Sequence, residues 1–253
     1  NVNSYAQDLK ADYDFANLLT ELDKVAGLKR IRYMTSHPRD FNEKTIKTIA
    51  ESEKVCEHFH LPIQSGSNDV LYEMNRGYTK EKYLTLIDRT REVDPLTNVT
   101  TDIIVGHPGE TREEFKETLD VIRQVKFGSI YVAQFSPRPD TKSARMKDHV
   151  SESEKKRRLQ LVLEKQKEYS SEYQSQLIGM ETDVLVKGSA RKDGNFYGKN
   201  EFGETITFEG KEAMIGEFVK VIIEKDNHGR LASTDTDEGS VKNDTNSHVK
   251  SSI

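Results

Sequence analysis

The sequence predicts an α/β domain built on parallel strands, followed by a small antiparallel β-barrel. Three observations lead there. Strand-like and helix-like segments alternate at least four times between Lys29 and Phe135, polar turns gather at the strand C-termini, and after Gly179 the apolar period changes from helical to two. The 253 residues suffice for a large domain plus a small one. Hydrophobic residues make up 34% and charged residues 32%, a polar balance, but the apolar positions are clustered and periodic, so a packed core is expected. A formal charge of −5 offers nucleic acid no broad attraction, so any RNA contact must be local. No apolar run approaches the ~20 residues of a membrane span, and no signal peptide is recognisable. The single cysteine, Cys56, excludes an internal disulfide framework and fits a reducing cytoplasm. The chain opens on Asn1, at what reads as the end of a strand, which suggests a piece lacking its upstream part.

From Phe15, the apolar Leu18, Leu19, Leu22 and Val25 mark a helical face that ends at Gly27. Residues 29–34 alternate Ile31 and Tyr33 with Arg30 and Arg32, the pattern of a strand stopping at a polar turn, 35–40. A helix is expected over 43–53 with Ile46 and Ile49 inward, then a strand over 58–63 that ends in Gln64-Ser65-Gly66-Ser67. A short helix covers 69–74, and Tyr83, Leu84 and Ile87 belong to a second.

Val99, Thr101, Ile103 and Val105 then alternate with Thr100, Asp102 and Ile104, so successive side chains face opposite sides. An aspartate in a β-branched strand is disfavoured and costly to bury alone, so Asp102 should face something polar. A Gly-x-Pro-Gly turn follows, and Thr111 with Glu114 fits a capping box for a helix carrying Phe115, Leu119, Ile122 and Val125. A further strand, 130–135, ends at Ser136-Pro137-Arg138-Pro139. Four strand ends are thus polar: around Ser36 and Arg39, Gln64 and Ser65, Asp102 and Glu110, and Ser136 and Arg138. Ligands in βα barrels and open α/β sheets bind at such carboxyl ends, so these four should converge on one mouth.

Ser151 to Glu154 fits a second capping box, opening a long helix with Leu159, Val162, Leu163, Gln166, Tyr169 and Tyr173 on one face. Its basic run, Lys155-Lys156-Arg157-Arg158, lies among glutamates and reads as a solvated face. Short strands at 182–186, 204–208 and 218–223, separated by Gly-containing turns, give the small barrel. From Ser233 the composition is polar enough to remain disordered. The expected organisation is 1–150 barrel, 151–176 connecting helix, 177–232 small barrel and 233–253 tail.

Asn1-Val2-Asn3-Ser4-Tyr5, Thr35-Ser36-His37-Pro38-Arg39-Asp40, His60-Leu61-Pro62-Ile63-Gln64-Ser65-Gly66-Ser67, Thr101-Asp102-Ile103-Ile104-Val105-Gly106 and Phe135-Ser136-Pro137-Arg138 share an order and spacing. Together they resemble the radical S-adenosylmethionine (SAM) methylthiotransferases, over residues 1 to about 234. The Gln64–Ser67 form and the Lys147-Asp148 segment look most like the tRNA-modifying branch. The last strands look like the RNA-binding barrel known as the TRAM domain. The resemblance implies a partial radical SAM-type barrel, with SAM and two 4Fe–4S clusters in the complete enzyme. It implies that a cluster reduces SAM, that the 5′-deoxyadenosyl radical abstracts hydrogen, and that a methylthio group is added at C2 of N6-isopentenyladenosine beside the tRNA anticodon. A second tRNA adenosine, of the threonylcarbamoyl type, is the alternative substrate. Implied partners are the tRNA anticodon stem-loop and an electron-donor protein, in the cytoplasm and without a membrane.

The family's Cys-x3-Cys-x2-Cys motif should lie upstream of Asn1. Cubane clusters need several thiolates, so this chain is expected to hold no cluster and to be inactive alone, with Cys56 a buried structural residue.

For cofactor contact the candidates are Asp102, Glu110, Gln64, Ser65, Arg138, Ser36 and Asn3. Carboxylates at such a turn suit ribose hydroxyls or an amino group, and an arginine such as Arg138 or Arg39 clamps a carboxylate or phosphate. For RNA the candidates are Lys187, Arg191, Lys192 and Lys199, with Phe196 as the interleaved ring. His58 and His60 share a strand face, but no third ligand makes them a metal site. Two other classes stay open: a stand-alone RNA-binding module, and a cluster-free barrel enzyme using Asp102 and Glu110 as acid and base.

Overall fold

The computed structural model describes residues 1–9, 12–34, 36–147, 150–191, 194–225, 230–233 and, in backbone, 236–237. The chain divides into two compact units, Asn1–Gln176 and Leu177–Ile253. In the first, three strands run parallel in the order β1-β2-β3. Strand β2 (Asn98–Val105) is central, between β1 (His58–His60) and β3 (Ser129–Gln134). Parallel neighbours need crossovers, and helices supply them. α3 (Asn68–Glu73) and α4 (Lys80–Val93) join β1 to β2, and α5 (Arg112–Val125) joins β2 to β3; α1 (Phe15–Asp23) and α2 (Glu43–Glu51) precede β1, and α6 (Lys142–Arg145) and α7 (Glu152–Gln176) follow β3.

The burial of β2 follows the predicted alternation only in its second half: Ile103 and Val105 are buried and Asp102 and Ile104 half-buried, whereas Asn98 to Thr101 are all buried, Thr100 included, because its hydroxyl meets His58 and His60. Its successor α5 opens on the expected capping box, Thr111 with Glu114. Strand β1 is shorter than its sequence suggests. Pro62 lacks an N–H, and the Ile63 N–H donates to the Thr101 hydroxyl (2.9 Å) rather than to a carbonyl. That hydroxyl in turn donates to the Leu61 carbonyl (2.9 Å), so a side chain stands where the ladder would run. Pairing resumes for one residue: the Gln64 N–H donates to Asp102 O and the Ile104 N–H to Gln64 O, both at 2.9 Å.

The expected strand at 29–34 reduces to a single parallel bridge, Ile31 to Val55. Its alternation is real, since Ile31 and Tyr33 are buried and Arg30 and Arg32 are not. Alternating burial requires only extended backbone, whereas a strand requires a run of ladder pairs, and among the described residues this segment shows the one bridge at Ile31. Two apolar positions are also corrected. Val25 is 47% exposed because α1 ends at Asp23, and Leu163 on α7 is 40% exposed. Cys56 is buried as expected.

The second unit is a curled sheet of order β10-β7-β4-β5-β6-β9-β8. Its strands are β4 (Glu181–Ser189), β5 (Asn195–Lys199), β6 (Thr205–Glu209), β7 (Phe218–Ile222), β8 (Glu224–Lys225), β9 (Leu231–Ser233) and β10 (Thr236–Asp237). All pairs are antiparallel except β6 with β9. A register shift between Val186 and Gly188 is the kind of irregularity that bends a sheet. Val184, Val186, Ile206 and Phe208 fill the inner face. Ser233, placed in the tail by composition, is buried in β9, and Thr236 and Asp237 pair with β7. Backbone pairing needs no apolar side chain, so polarity alone placed the tail too early. The rest of the tail, 234–235 and 238–253, lies outside the described residues. Among the described residues no helix is long and apolar enough to cross a membrane.

Phe59 of β1 is fully buried, with its ring edge-on to Phe41 (5.7 Å) and Tyr33 (6.5 Å). Phe59→Ala should therefore cost about 3–5 kcal/mol. Urea denaturation would show this as a lower midpoint with an unchanged slope; a loss below about 1 kcal/mol would contradict the assignment of Phe59 to the core.

Candidate functional site

A cleft of about 1120 Å³ opens where β2 and β3 end. Gln64, Asp102, Tyr131 and Gln134 line it from the strands, and Arg76, Arg138 and Lys142 from the connecting segments. The Asp102 side chain is 40% exposed, and its strand partner is Tyr131. One carboxylate oxygen, Oδ1, lies 3.4 Å from His60 Nε2. His60 Nδ1 is 3.0 Å from the Thr100 hydroxyl, which is 3.2 Å from His58 Nε2. The two histidines thus meet on a threonine, and among the described residues no group of three or more metal-ligating side chains exists. His60 Nε2 thus faces the Asp102 carboxylate, and in the tautomer protonated at Nε2 its Nδ1 accepts from the Thr100 hydroxyl.

The other predicted residues separate into those that line the cleft and those that do not. Gln64 faces it, on a backbone held at φ +73° between two ladder bonds. Ser65 does not: its hydroxyl accepts the Ser67 N–H (3.2 Å) and sits 3.4 Å from that of Thr118 on α5. The adjoining Gly66 presses so closely on α5 that a Cβ there would stand 2.5 Å from Glu117 O. Asn3 also serves the backbone, donating to His37 O and accepting from His37 N, both at 2.8 Å. Ser36 is buried behind it, and its hydroxyl has no partner. Arg39 makes a forked, exposed pair with Asp40 (2.8 and 2.9 Å), the solvent-side arrangement that stabilises little. Arg138 is exposed on the cleft's rim.

Glu110 is neither a solvated turn residue nor a cleft residue. The turn after β2 begins at Gly106, where φ is +75° and a Cβ would collide with Lys155 Cγ. The Gly106 N–H donates to Glu110 Oε2 (2.6 Å), and Arg158 Nη1 donates to the same oxygen (2.6 Å) and to Glu110 O (3.1 Å). The Glu110 and Arg158 side chains are 1% and 3% exposed. The Arg158 guanidinium also covers the Phe115 ring at 5.2 Å.

The basic run is therefore not a solvated face. Lys155 and Arg158, three apart, turn inward, while Lys156 and Arg157 stay exposed. The second capping box is only half made. The Glu154 N–H donates to Ser151 Oγ (3.2 Å), but the Glu154 carboxylate is taken by Arg157 (2.7 Å) and Arg158 (3.0 Å). An acid–base pair of Asp102 and Glu110 is excluded by the same geometry, since only Asp102 reaches the cleft.

Burial pushes the Glu110 carboxyl above its ordinary value, against the opposing hydrogen bonds from Gly106 and Arg158. Glu154 moves the other way, held at about 2 by Arg157 and then Arg158.

In the second unit, Lys187 and Lys199 lie on the exposed face of β4 and β5, and Arg191 is exposed beyond β4. Phe196 is buried at 7%, so it is a core ring; its neighbour Tyr197 is the aromatic on the outer face. Lys192 lies outside the described residues. Sequence reading missed Tyr72, Arg76, Tyr131 and Lys142 as cleft residues. Tyr131 carried a signal, the strand alternation two residues before Ala133, whereas Tyr72 and Arg76 sit in a short helix and its exit, where periodicity assigns no face.

Comparison with known proteins gives two family matches: Radical SAM superfamily over residues 4–122 and TRAM domain over residues 175–234. The tRNA-2-methylthio-N(6)-dimethylallyladenosine synthase of Pelotomaculum thermopropionicum is 47% identical over 224 residues, 88% of this chain and 50% of that protein. The same-named proteins of Alkaliphilus oremlandii and Desulfitobacterium hafniense are 44% and 43% identical, over 88% and 91% of this chain and 48% and 52% of theirs. The chain spans about half the length of the curated relatives it matches.

Because Glu154 titrates near 2 in the fold against an ordinary 4.5, its contribution to stability is complete above about 4.5 and is lost as pH falls toward 2. Glu154→Gln should remove that part of the acid slope in a denaturation series from pH 6 to pH 3. A variant with the wild-type slope would show that the cluster at the start of α7 does not govern it.

Proposed function

From a chain that joins radical SAM sequence to a TRAM domain, we propose the SAM-binding mouth and RNA-holding domain of a tRNA methylthiotransferase. The reaction proposed is addition of a methylthio group at C2 of N6-isopentenyladenosine beside the tRNA anticodon, the activity that the relatives' name describes. The observation that carries this reading is that Gln64, bridged to Ile103, and the preceding Asp102 both line one cleft of about 1120 Å³, large enough for a nucleoside-sized ligand.

The donor set of that cleft fits SAM. A half-exposed carboxylate accepts hydrogen bonds from ribose hydroxyls or an ammonium, the Gln64 amide both donates and accepts, and Arg138 on the rim matches a carboxylate. SAM, when bound, supplies the methyl group and the radical precursor. What these residues do is bind and orient it. Asp102 is itself oriented by His60 and, through His60, by Thr100. The cleft residues do not fit an iron–sulfur cluster. A cluster needs several thiolates, the sequence holds one cysteine, and that cysteine is buried. We assign the cluster ligands to the part of the relatives' length that this chain does not span, and propose an electron-donor protein as a further partner of the complete enzyme. The RNA contact is assigned to Lys187, Arg191 and Lys199 with the exposed ring of Tyr197, and the setting to the cytoplasm.

The test is SAM affinity by equilibrium dialysis in the protein at the relatives' full length, wild type against Asp102→Asn. Loss of a charge-assisted bond should weaken binding roughly 10- to 150-fold. An unchanged affinity would remove Asp102 from the SAM site.

A further inference from the structure

Two exposed tyrosines remain without an explanation in the fold. Among the described large hydrophobic side chains, Tyr72 is the most exposed at 79%, and Tyr131 follows at 58%. Both line the same cleft. They are not equivalent. Tyr131 lies in the floor as the strand partner of Asp102, with its ring edge-on to His60 at 5.7 Å. Tyr72 stands on the rim, near the end of α3, whose Val70 and Leu71 are buried while Tyr72 turns outward. Among the described residues no ring packs on Tyr72 and its hydroxyl has no hydrogen-bond partner.

The surroundings of Tyr72 are charged rather than apolar. Arg76, Arg138 and Lys142 line the same cleft, and Arg76 Nε is buried without a partner. Lys142 is paired with Glu73 at 2.7 Å, which leaves the two arginines as the rim's guanidinium groups. An exposed aromatic ring that shares a cleft with cations is a poor match for an apolar protein surface and a good one for an unstacked nucleotide. Its base has a π-face for the ring, and its flanking phosphates carry charge for Arg76.

We propose that Tyr72 is the stacking platform for the RNA adenine that enters this cleft, with Arg76 meeting a flanking phosphate. This rests on the tRNA reading above and adds to it the residue that holds the base. An adenine paired or stacked inside its loop cannot approach SAM held by Asp102 and Gln64 in the cleft, so it must be turned out, and a ring on the rim compensates for the lost stacking.

The experiment uses a hairpin RNA with the anticodon-loop sequence, carrying 2-aminopurine in place of the adenosine 3′ to the anticodon, and the full-length protein. Fluorescence anisotropy reports binding, and quenching of the 2-aminopurine reports stacking. Wild type and Tyr72→Phe should quench alike. Tyr72→Ala should bind roughly 5- to 150-fold more weakly and lose the quenching. On the same hairpin with an abasic site at that position, wild type and Tyr72→Ala should bind equally. Full quenching by Tyr72→Ala overturns the assignment. So does an equal loss on the abasic hairpin, which would assign Tyr72 to a contact other than the base, such as another part of the protein. If wild type does not bind the hairpin, the tRNA reading fails and the stacking role with it; binding that Tyr72→Ala leaves unchanged removes the stacking role alone.

Discussion

The first unit depends on one constraint: both neighbours of β2 are parallel to it. Parallel strands cannot be joined by tight turns, so crossover helices follow and cover the sheet, and β-branched residues fill what they cover. A carboxylate on such a strand is tolerable only where the sheet opens, and Asp102 occupies that place, half-exposed beside Gln64 and Tyr131. The Thr101 hydroxyl interrupts the β1 ladder just before this point and lets the chain turn at Gln64. The cleft is thus a consequence of how the sheet ends rather than an addition to it.

The connection after β2 is held by a different kind of interaction. Glu110 joins the Gly106 N–H to Arg158, so the start of α7 is fixed to the turn that leaves the central strand. A buried ion pair of this sort stabilises little compared with apolar residues of the same size, because both charges are taken out of water. Its directionality is what the fold uses: the guanidinium reaches one carboxylate, one carbonyl and the ring of Phe115. Lys155 fills the space that the absent Gly106 side chain leaves.

Much of this architecture was legible in the sequence, because it rests on local signals. The alternation of 102–105, the capping box at Thr111, the polar strand ends and the change of period after Gly179 each reflect backbone geometry that nearby residues determine. What was not legible depends on partners far along the chain. The alternation at 29–34 marks burial, yet strand formation needed a continuous ladder, and the described residues there make a bridge at Ile31. Glu110 and Arg158 are 48 residues apart, and each alone resembles a surface charge. Phe196 and Tyr197 are adjacent rings, and only the register of β5 against β4 decides which faces water. Ser65 and Asn3 match the family's pattern but serve turn backbone, as motif residues in tight turns often do.

The two units divide the proposed work. The first presents a polar, nucleoside-sized cleft at its strand ends, and the second presents lysines and a tyrosine on the outer face of a curled sheet. The central claim is that the cleft beside Asp102 is the SAM site. The most direct measurement is an experimental structure of the full-length protein with SAM bound. The geometry predicts Asp102 and Gln64 within hydrogen-bonding distance of the ligand's polar groups, with His60 still against Asp102. SAM bound elsewhere, with Asp102 facing only His60 and solvent, would contradict it.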